Sequence, residues 1–260
     1  MSALVILTRP AGRNDGLAHA LREAGRSVYA WPALRIDPVE VAPSAVPRPD
    51  DFDLAVFVSG NAARLYLRQA FPSGGQWPAT CAAATVGPAS AQALRDSGFF
   101  GAETTLIHPG SQAVNHDSEA LWECLMARPM PRRVLILRGT QGRNWLADRL
   151  RAHGVEVSIH AVYARQPQAW SAQQLAQVRH WAATGQHPNW LMTSGESIDA
   201  IAAQAARAGV LAWMQQCRYL ITHPVLRQRL QQALGGEGAV AMVKECLPVD
   251  EAIFEALVAG

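Results

Sequence analysis

Arg9-Pro10-Ala11-Gly12-Arg13-Asn14, followed by Leu17, Ala18, Leu21, Arg22, Gly25 and Val28, is written twice in this chain. The second copy is Arg138-Gly139-Thr140-Gln141-Gly142-Arg143-Asn144, followed by Leu146, Ala147, Leu150, Arg151, Gly154 and Val157. Arg138 and the residues from Leu146 to Val157 named here lie 129 positions after their counterparts. The repetition continues. Val58-Ser59-Gly60-Asn61 returns as Thr193-Ser194-Gly195-Glu196, shifted by 135. Gly87-Pro88 with Gln92 and Leu94 returns as His223-Pro224 with Gln228 and Leu230, shifted by 136. Ser118-Glu119-Ala120-Leu121-Trp122-Glu123 returns as Asp250-Glu251-Ala252-Ile253-Phe254-Glu255, shifted by 132. Four units, A to D, therefore occur in the order ABCD and then ABCD again. A period this long signals duplicated domains, not a solenoid of short repeats. Two similar domains imply a cleft that could take a large ligand.

Each unit reads as a strand followed by a helix. Apolar runs predict strands over 4–8, 28–31, 54–58, 82–86 and, weakly, 104–107. The second copy predicts them over 134–137, 190–192, 219–222 and 240–244. Leu17, Ala18, Leu21 and Ala24 have helical spacing, with Gly25 suited to the end of that helix. Pro88 suits a first helical position, and a helix is expected from about Glu119. Nearly all-apolar strands alternating with helices indicate parallel sheets covered on both faces. Two connectors differ from the rest. One is punctuated by Pro32, Pro38, Pro43, Pro47 and Pro49, and the other runs through residues 159–167. Both read as extended segments with β-character. A helix over 171–183 has no counterpart in the first copy.

At 260 residues, 49% of them hydrophobic, the chain is long enough for two α/β domains with cores of their own. The apolar run after the N-terminus is too short for an export signal, and no stretch has the length of a membrane span. The scattered Cys81, Cys124, Cys217 and Cys246 read as free thiols in a reducing cytosol. A formal charge of +2 gives no global field for nucleic acid. Lys244 is the only lysine among 23 basic residues, which leaves neither a P-loop nor a general supply of Schiff-base amines. The histidines are dispersed, so a metal site has no local support. The expectation is a cytoplasmic monomer without cofactor or metal, and without a nucleic-acid or membrane partner.

Taken in order, the following pieces resemble the uroporphyrinogen-III synthase family. They are Val5-Ile6-Leu7-Thr8-Arg9-Pro10, Phe57-Val58-Ser59-Gly60-Asn61-Ala62, Val86-Gly87-Pro88-Ala89-Ser90-Ala91, Leu135-Ile136-Leu137-Arg138-Gly139, Val162-Tyr163, Leu191-Met192-Thr193-Ser194-Gly195-Glu196-Ser197 and residues 248–257. The resemblance implies an α/β fold of two similar flavodoxin-like domains with parallel sheets, crossed over and joined by a two-stranded β hinge. One domain would comprise residues 1–35 and 167–260 and the other 39–160, with linkers at 36–38 and 161–166. It also implies a cofactor-independent lyase of tetrapyrrole (heme) biosynthesis. Such an enzyme cyclises hydroxymethylbilane with loss of water and inversion of ring D, and it would meet the preceding pathway enzyme at most transiently. The alternative is a non-catalytic, hinge-bending protein that binds a small ligand, because fold alone does not decide function.

The family's substrate carries eight carboxylates, and this chain has no obvious basic cleft. Turns from strand to helix offer another way to hold anions, through free backbone N–H groups and the helix dipole. The candidates for binding are Arg9, Ser59, Asn61, Gly87, Pro88, Ser90, Arg138, Gly139, Thr193, Ser194, Gly195 and His223. For the serines and Asn61 the competing reading is helix capping. Arg9 and Arg138 could equally neutralise carboxylates of the protein itself. Where relatives often carry hydroxyl residues after the second unit C proline, this chain has Val225 and Leu226. Tyr163, matching a family tyrosine, is the candidate acid for the departing hydroxyl. Its competing reading is an aromatic placed for packing.

Overall fold

The computed structural model describes residues 4–110 and 117–259, and the chain separates into two compact units. Unit 1 comprises Met1–Arg35 with Gln166–Gly260, and unit 2 is Ile36–Arg165.

Unit 1 is built on β1 (Leu4–Leu7), β2 (Ser27–Ala30), β9 (Asn189–Met192), β10 (Arg218–Ile221) and β11 (Val243–Glu245). Its helices are α1 (Asp15–Glu23), α6 (Ala172–Thr184), α7 (Gly195–Ala208), the short α8 (Leu211–Met214), α9 (Val225–Leu234) and α10 (Asp250–Val258). The strand order is β11-β10-β9-β1-β2, with every neighbouring pair parallel. In chain order this is the 2-1-3-4-5 arrangement of flavodoxin-like sheets. Side-chain alternation along β1 sends Val5 and Leu7 to one face, with Leu17, Leu21, Ile253 and Leu257 of α1 and α10. Ile6 goes to the other face, with Trp181, Ile198, Ile201 and Leu230 of α6, α7 and α9. There Trp31 stacks on Trp181 with ring centroids 5.3 Å apart.

Unit 2 contains β3 (Leu34–Pro38), β4 (Leu54–Phe57), β5 (Ala82–Thr85), β6 (Leu106–Ile107), β7 (Arg133–Gly139) and β8 (Glu156–Pro167). β3 and β8 run on by a residue or two past the division between the units. The helices are α2 (Gly60–Ala70), α3 (Pro88–Asp96), α4 (Ser118–Met126) and α5 (Trp145–Ala152). The order is β3-β8-β7-β4-β5-β6, and the five strands from β8 to β6 are mutually parallel. Leu54, Val56, Val134 and Ile136 face α4 and α5, while Ala55, Phe57, Leu135 and Leu137 face α2. Reading both sheets by repeat unit gives one order, D-C-B-A followed by the strand after A. Unit A of each half thus completes the sheet of the B, C and D units from the other half.

The two crossings of the chain fall within β3 and β8. Val39 N–H donates to Val162 O and Gln168 N–H donates to Ala33 O, so these neighbouring strands run in opposite directions. The remainder of the proline-punctuated connector forms no strand, although Val46, Arg48 and Phe52 are in extended conformation. It forms 3-10 turns at Pro43–Ala45 and Pro49–Asp51, each led by a proline whose fixed φ suits a first helical position. Strand β11 also starts later than its apolar run suggests. Gln231 accepts Val240 N–H at 2.9 Å and donates to Val240 O at 2.6 Å, withdrawing that backbone from the ladder. The duplicated glycines after α1 and α5 do the same work. Gly25 and Gly154 have φ of +76° and +79°, a left-handed turn that a side chain would strain. No helix among the described residues is long and apolar enough to cross a membrane.

The crossing has a direct consequence for fragments. A chain of residues 166–260 lacks β1, β2 and α1, and with them the buried Val5, Ile6, Leu7, Leu17 and Leu21. At roughly 1.5–3 kcal/mol for each buried side chain, this approaches the whole ~5–15 kcal/mol stability of a domain. We expect residues 36–165 alone to unfold cooperatively in urea, followed by circular dichroism, and residues 166–260 alone to show no transition. A cooperative transition in the latter would mean that β1 is dispensable.

Candidate active site

In sheets of this order, ligands meet the carboxyl ends of the strands at the point where the order reverses. For unit 2 that point lies between β7 and β4. Here β4 delivers Val58 and Ser59, and β7 delivers Arg138 and Gly139. The pairing of β7 with β8 is irregular at this end, because Arg138 faces Ala161 but Gly139 faces Tyr163. The extra residue is a β-bulge, a device that re-aims side chains. As a result the consecutive Val162 and Tyr163 both join the core around Phe57 and Leu137.

Tyr163 is 2% exposed, and its hydroxyl is the polar end of an otherwise packed ring. The phenol oxygen lies 3.3 Å from Ser59 Oγ and accepts from an Arg165 guanidinium N–H at 3.5 Å. The Arg165 guanidinium carbon is 5.8 Å from the ring centroid. Ser59 is also the N-cap of α2, accepting Ala62 N–H at 3.2 Å. Gly139 is required beside this ring, since a Cβ there would sit 2.7 Å from Tyr163 Cε2. Thr140 N–H donates to Tyr163 O at 2.8 Å and fixes the backbone on the other side.

A cavity of about 200 Å³ opens at this point, lined by Ser118, Arg138, Gly139, Gln141, Tyr163 and Arg165 among others. The half-buried Arg138 is held by neutral acceptors: Gly139 O at 3.2 Å, Arg143 O at 3.2 Å and Asn144 Oδ1 at 2.8 Å. Arg143, also on the cavity wall, pairs with Glu119. Asn61 opens the first turn of α2, and Gly87, Pro88 and Ser90 lie at the start of α3.

At the corresponding point of unit 1, between β1 and β9, side chains of the unit bond to one another, with Arg9 Nη2 left without a hydrogen-bond partner among the described residues. Thr8 Oγ1 donates to Leu191 O across the two strands. Arg9, 9% exposed, pairs with Asp250 at 2.6 Å and donates from Nε to Asn14 Oδ1 at 3.2 Å. Of the two uses foreseen for Arg9, neutralising a carboxylate of the protein is the one observed. Thr193, Ser194 and Gly195 lead from β9 into α7, where Ser194 Oγ accepts Ser197 N–H at 3.1 Å. Exposed His223 accepts Val225 N–H through Nδ1 at 3.2 Å, a local contact at the start of α9. Glu196 occupies the first turn of α7, where its charge suits the helix dipole.

The bulge brings Tyr163, Ser59, Arg138 and Gly139 together in unit 2. The remaining candidates stay at their separate turns, Arg9, Thr193, Ser194, Gly195 and His223 belonging to unit 1. Sequence reading missed Arg165, Gln141 and Ser118, although the comparison of the D units already set Ser118 against Asp250. Burial pushes the thiols of Cys81 and Cys217 up to about 12, which keeps both protonated and unreactive at neutral pH. Among the described residues, no three His, Cys, Asp or Glu side chains are grouped to hold a metal ion.

A protein-family model described as Uroporphyrinogen-III synthase HemD matches residues 15–241. The uroporphyrinogen-III synthase of Salmonella typhimurium is 26% identical over 222 residues, spanning 84% of this chain and 86% of its own. That of Escherichia coli is 24% identical over 245 residues, spanning 89% and 91%. Two solved structures share the fold. A mutant uroporphyrinogen III synthase from Thermus thermophilus aligns over 99% of both chains at 15% identity, with a TM-score of 0.55. The Helicobacter pylori uroporphyrinogen-III synthetase aligns over 100% of this chain and 99% of its own at 13% identity, with a TM-score of 0.57. None of them supports the alternative of a non-catalytic ligand-binding protein. Matched by the family model over most of its length, the chain belongs to the uroporphyrinogen-III synthase family.

Proposed function

We propose that this chain cyclises the linear tetrapyrrole hydroxymethylbilane to the type III isomer, losing water and inverting ring D, with Tyr163 as the acid for the departing hydroxyl. The match of the family model from residue 15 to 241 carries the reading. The surroundings of Tyr163 support its role. The phenol is held rigidly by packing, Ser59 Oγ sits within hydrogen-bond reach of its oxygen, and Arg165 is placed to stabilise the anion left when the proton departs. Loss of the hydroxyl leaves an electrophilic azafulvene. The substituted carbon of ring D attacks it, and the spiro intermediate fragments and recloses with the ring inverted. Holding ring D in position contributes at least as much as proton transfer, because the leaving group is already labile.

In this reading the substrate carboxylates are held by the turns at Ser59, Asn61, Gly87, Pro88, Ser90, Arg138, Gly139, Thr193, Ser194, Gly195 and His223. Backbone N–H groups at helix starts suit that task without a basic surface. The reading also takes the protein as a cytoplasmic monomer, in keeping with its unpaired thiols, that meets the preceding pathway enzyme only transiently.

The direct test is a coupled assay with freshly generated hydroxymethylbilane and no added metal, nucleotide or flavin. Type III product is expected, and type I product alone, at the rate seen without protein, would overturn the reading. Tyr163→Phe should keep the fold and lower turnover by about ten- to a hundredfold, at or below the low end of the ~10²–10⁴ range for a general acid. Unchanged turnover would remove Tyr163 from the mechanism. Gly139→Ala should cost about 1–3 kcal/mol in urea unfolding, because the new Cβ overpacks the Tyr163 ring. In the Tyr163→Phe background it should cost the same stability but no further turnover, which steady-state rates of the double variant would check.

A further inference from the structure

The two halves of this chain use the same arginine differently. Arg9 and Arg138 stand at equivalent positions at the ends of β1 and β7, and each is braced by an asparagine of its own turn. The helices that approach them are equivalent too, with Asp250 the first residue of α10 and Ser118 the first residue of α4. In unit 1 the Asp250 carboxylate reaches Arg9 at 2.6 Å. In unit 2 the equivalent position holds only a serine hydroxyl, and Ser118 and Arg138 line one cavity of about 200 Å³.

The acids near that cavity are directed elsewhere. Asp117 caps α4 by accepting Ala120 N–H at 2.9 Å, whereas unit 1 has Val249 at that position. Glu119 pairs with Arg143. Among the described residues no acidic side chain lines the cavity, three arginines do, and Arg138 forms no ion pair. The duplication therefore supplies an internal picture of the missing partner: in unit 1 a carboxylate of the chain occupies the place that in unit 2 no carboxylate of the described residues takes.

We infer that the cavity bounded by Ser118 and Arg138 seats one carboxylate of the substrate, and that Asp250 closes the equivalent place in unit 1 to that role. This rests on the functional reading above and narrows it. Arg138 binds, Arg9 is structural, and the choice between them is made by the first residue of the helix from unit D. A carboxylate arriving beside Ser118 would meet the Arg138 guanidinium as Asp250 meets Arg9, with the serine hydroxyl available as a further donor.

Ser118→Asp tests this, because it supplies unit 2 with the internal carboxylate that unit 1 already has. An acid at the first position of a helix is compatible with its dipole, so the fold should hold. Arg138→Gln is the second variant, and Gln173→Glu, which adds the same charge at the exposed start of α6, is the control. The probe is uroporphyrin III, titrated by quenching of protein fluorescence, which needs no turnover. Both Ser118→Asp and Arg138→Gln should bind it at least about tenfold more weakly than the wild type. Gln173→Glu should bind as the wild type does. The KM for hydroxymethylbilane should rise in parallel, with a smaller change in kcat. Equal affinity of Ser118→Asp and wild type, or no binding by the wild type, overturns the inference. Failure to form the type III isomer overturns the proposed activity instead, and the titration still reads the site.

Discussion

Strand β1 is hydrogen-bonded to β2 on one side and to β9, from the far half of the sequence, on the other. The rest of unit 1 depends on this insertion. Val5, Ile6 and Leu7 are fully buried, and their alternation feeds both cores of that unit at once. Strand β7 fills the same place in unit 2 between β8 and β4, so the exchange of first strands is reciprocal. Neither sheet has a centre unless the chain crosses twice, which is why β3 and β8 are extended where a flexible linker would otherwise serve.

The same insertion creates the chemistry. Placing strand A beside strand B sets the reversal of strand order at its carboxyl end, where backbone N–H groups of two turns converge. Duplication supplies that geometry twice, but the side chains have diverged. Unit 1 fills its point of reversal with Thr8, Arg9 and Asp250. Unit 2 has Leu137 in the place of Thr8 and Ser118 in the place of Asp250, and it adds a bulge that turns Tyr163 toward Gly139. One copy thereby pairs its arginine with a carboxylate of the chain, although Arg9 Nη2 has no hydrogen-bond partner among the described residues, and the other has an arginine-lined cavity. A buried guanidinium needs a partner, and in unit 1 the chain provides it.

Much of this was legible beforehand because its physics is local. Strand and helix positions followed from apolar spacing, and the proline at the start of α3 and the paired glycines after α1 and α5 followed from backbone geometry. The errors were local as well. The Val240 backbone was taken by Gln231, and the proline-rich connector broke into 3-10 turns, because side-chain partners and proline φ outweighed β-propensity. The capping roles of Ser59 and Ser194 were foreseen as an alternative to binding. The structure shows that a cap and a neighbour of the phenol can be one hydroxyl, as at Ser59.

By itself the sequence determined the duplication, the α/β class and the membership of each strand in a repeat unit, since these rest on residue order and periodicity. Even the decisive difference between Ser118 and Asp250 stood in plain view in the aligned repeats. Only the tertiary structure decided what that difference meant. Whether an arginine is neutralised depends on a carboxylate 241 residues away reaching it in space, and whether a tyrosine faces solvent or core depends on a bulge in a ladder with another strand. Both are properties of long-range pairing, which local spacing does not encode.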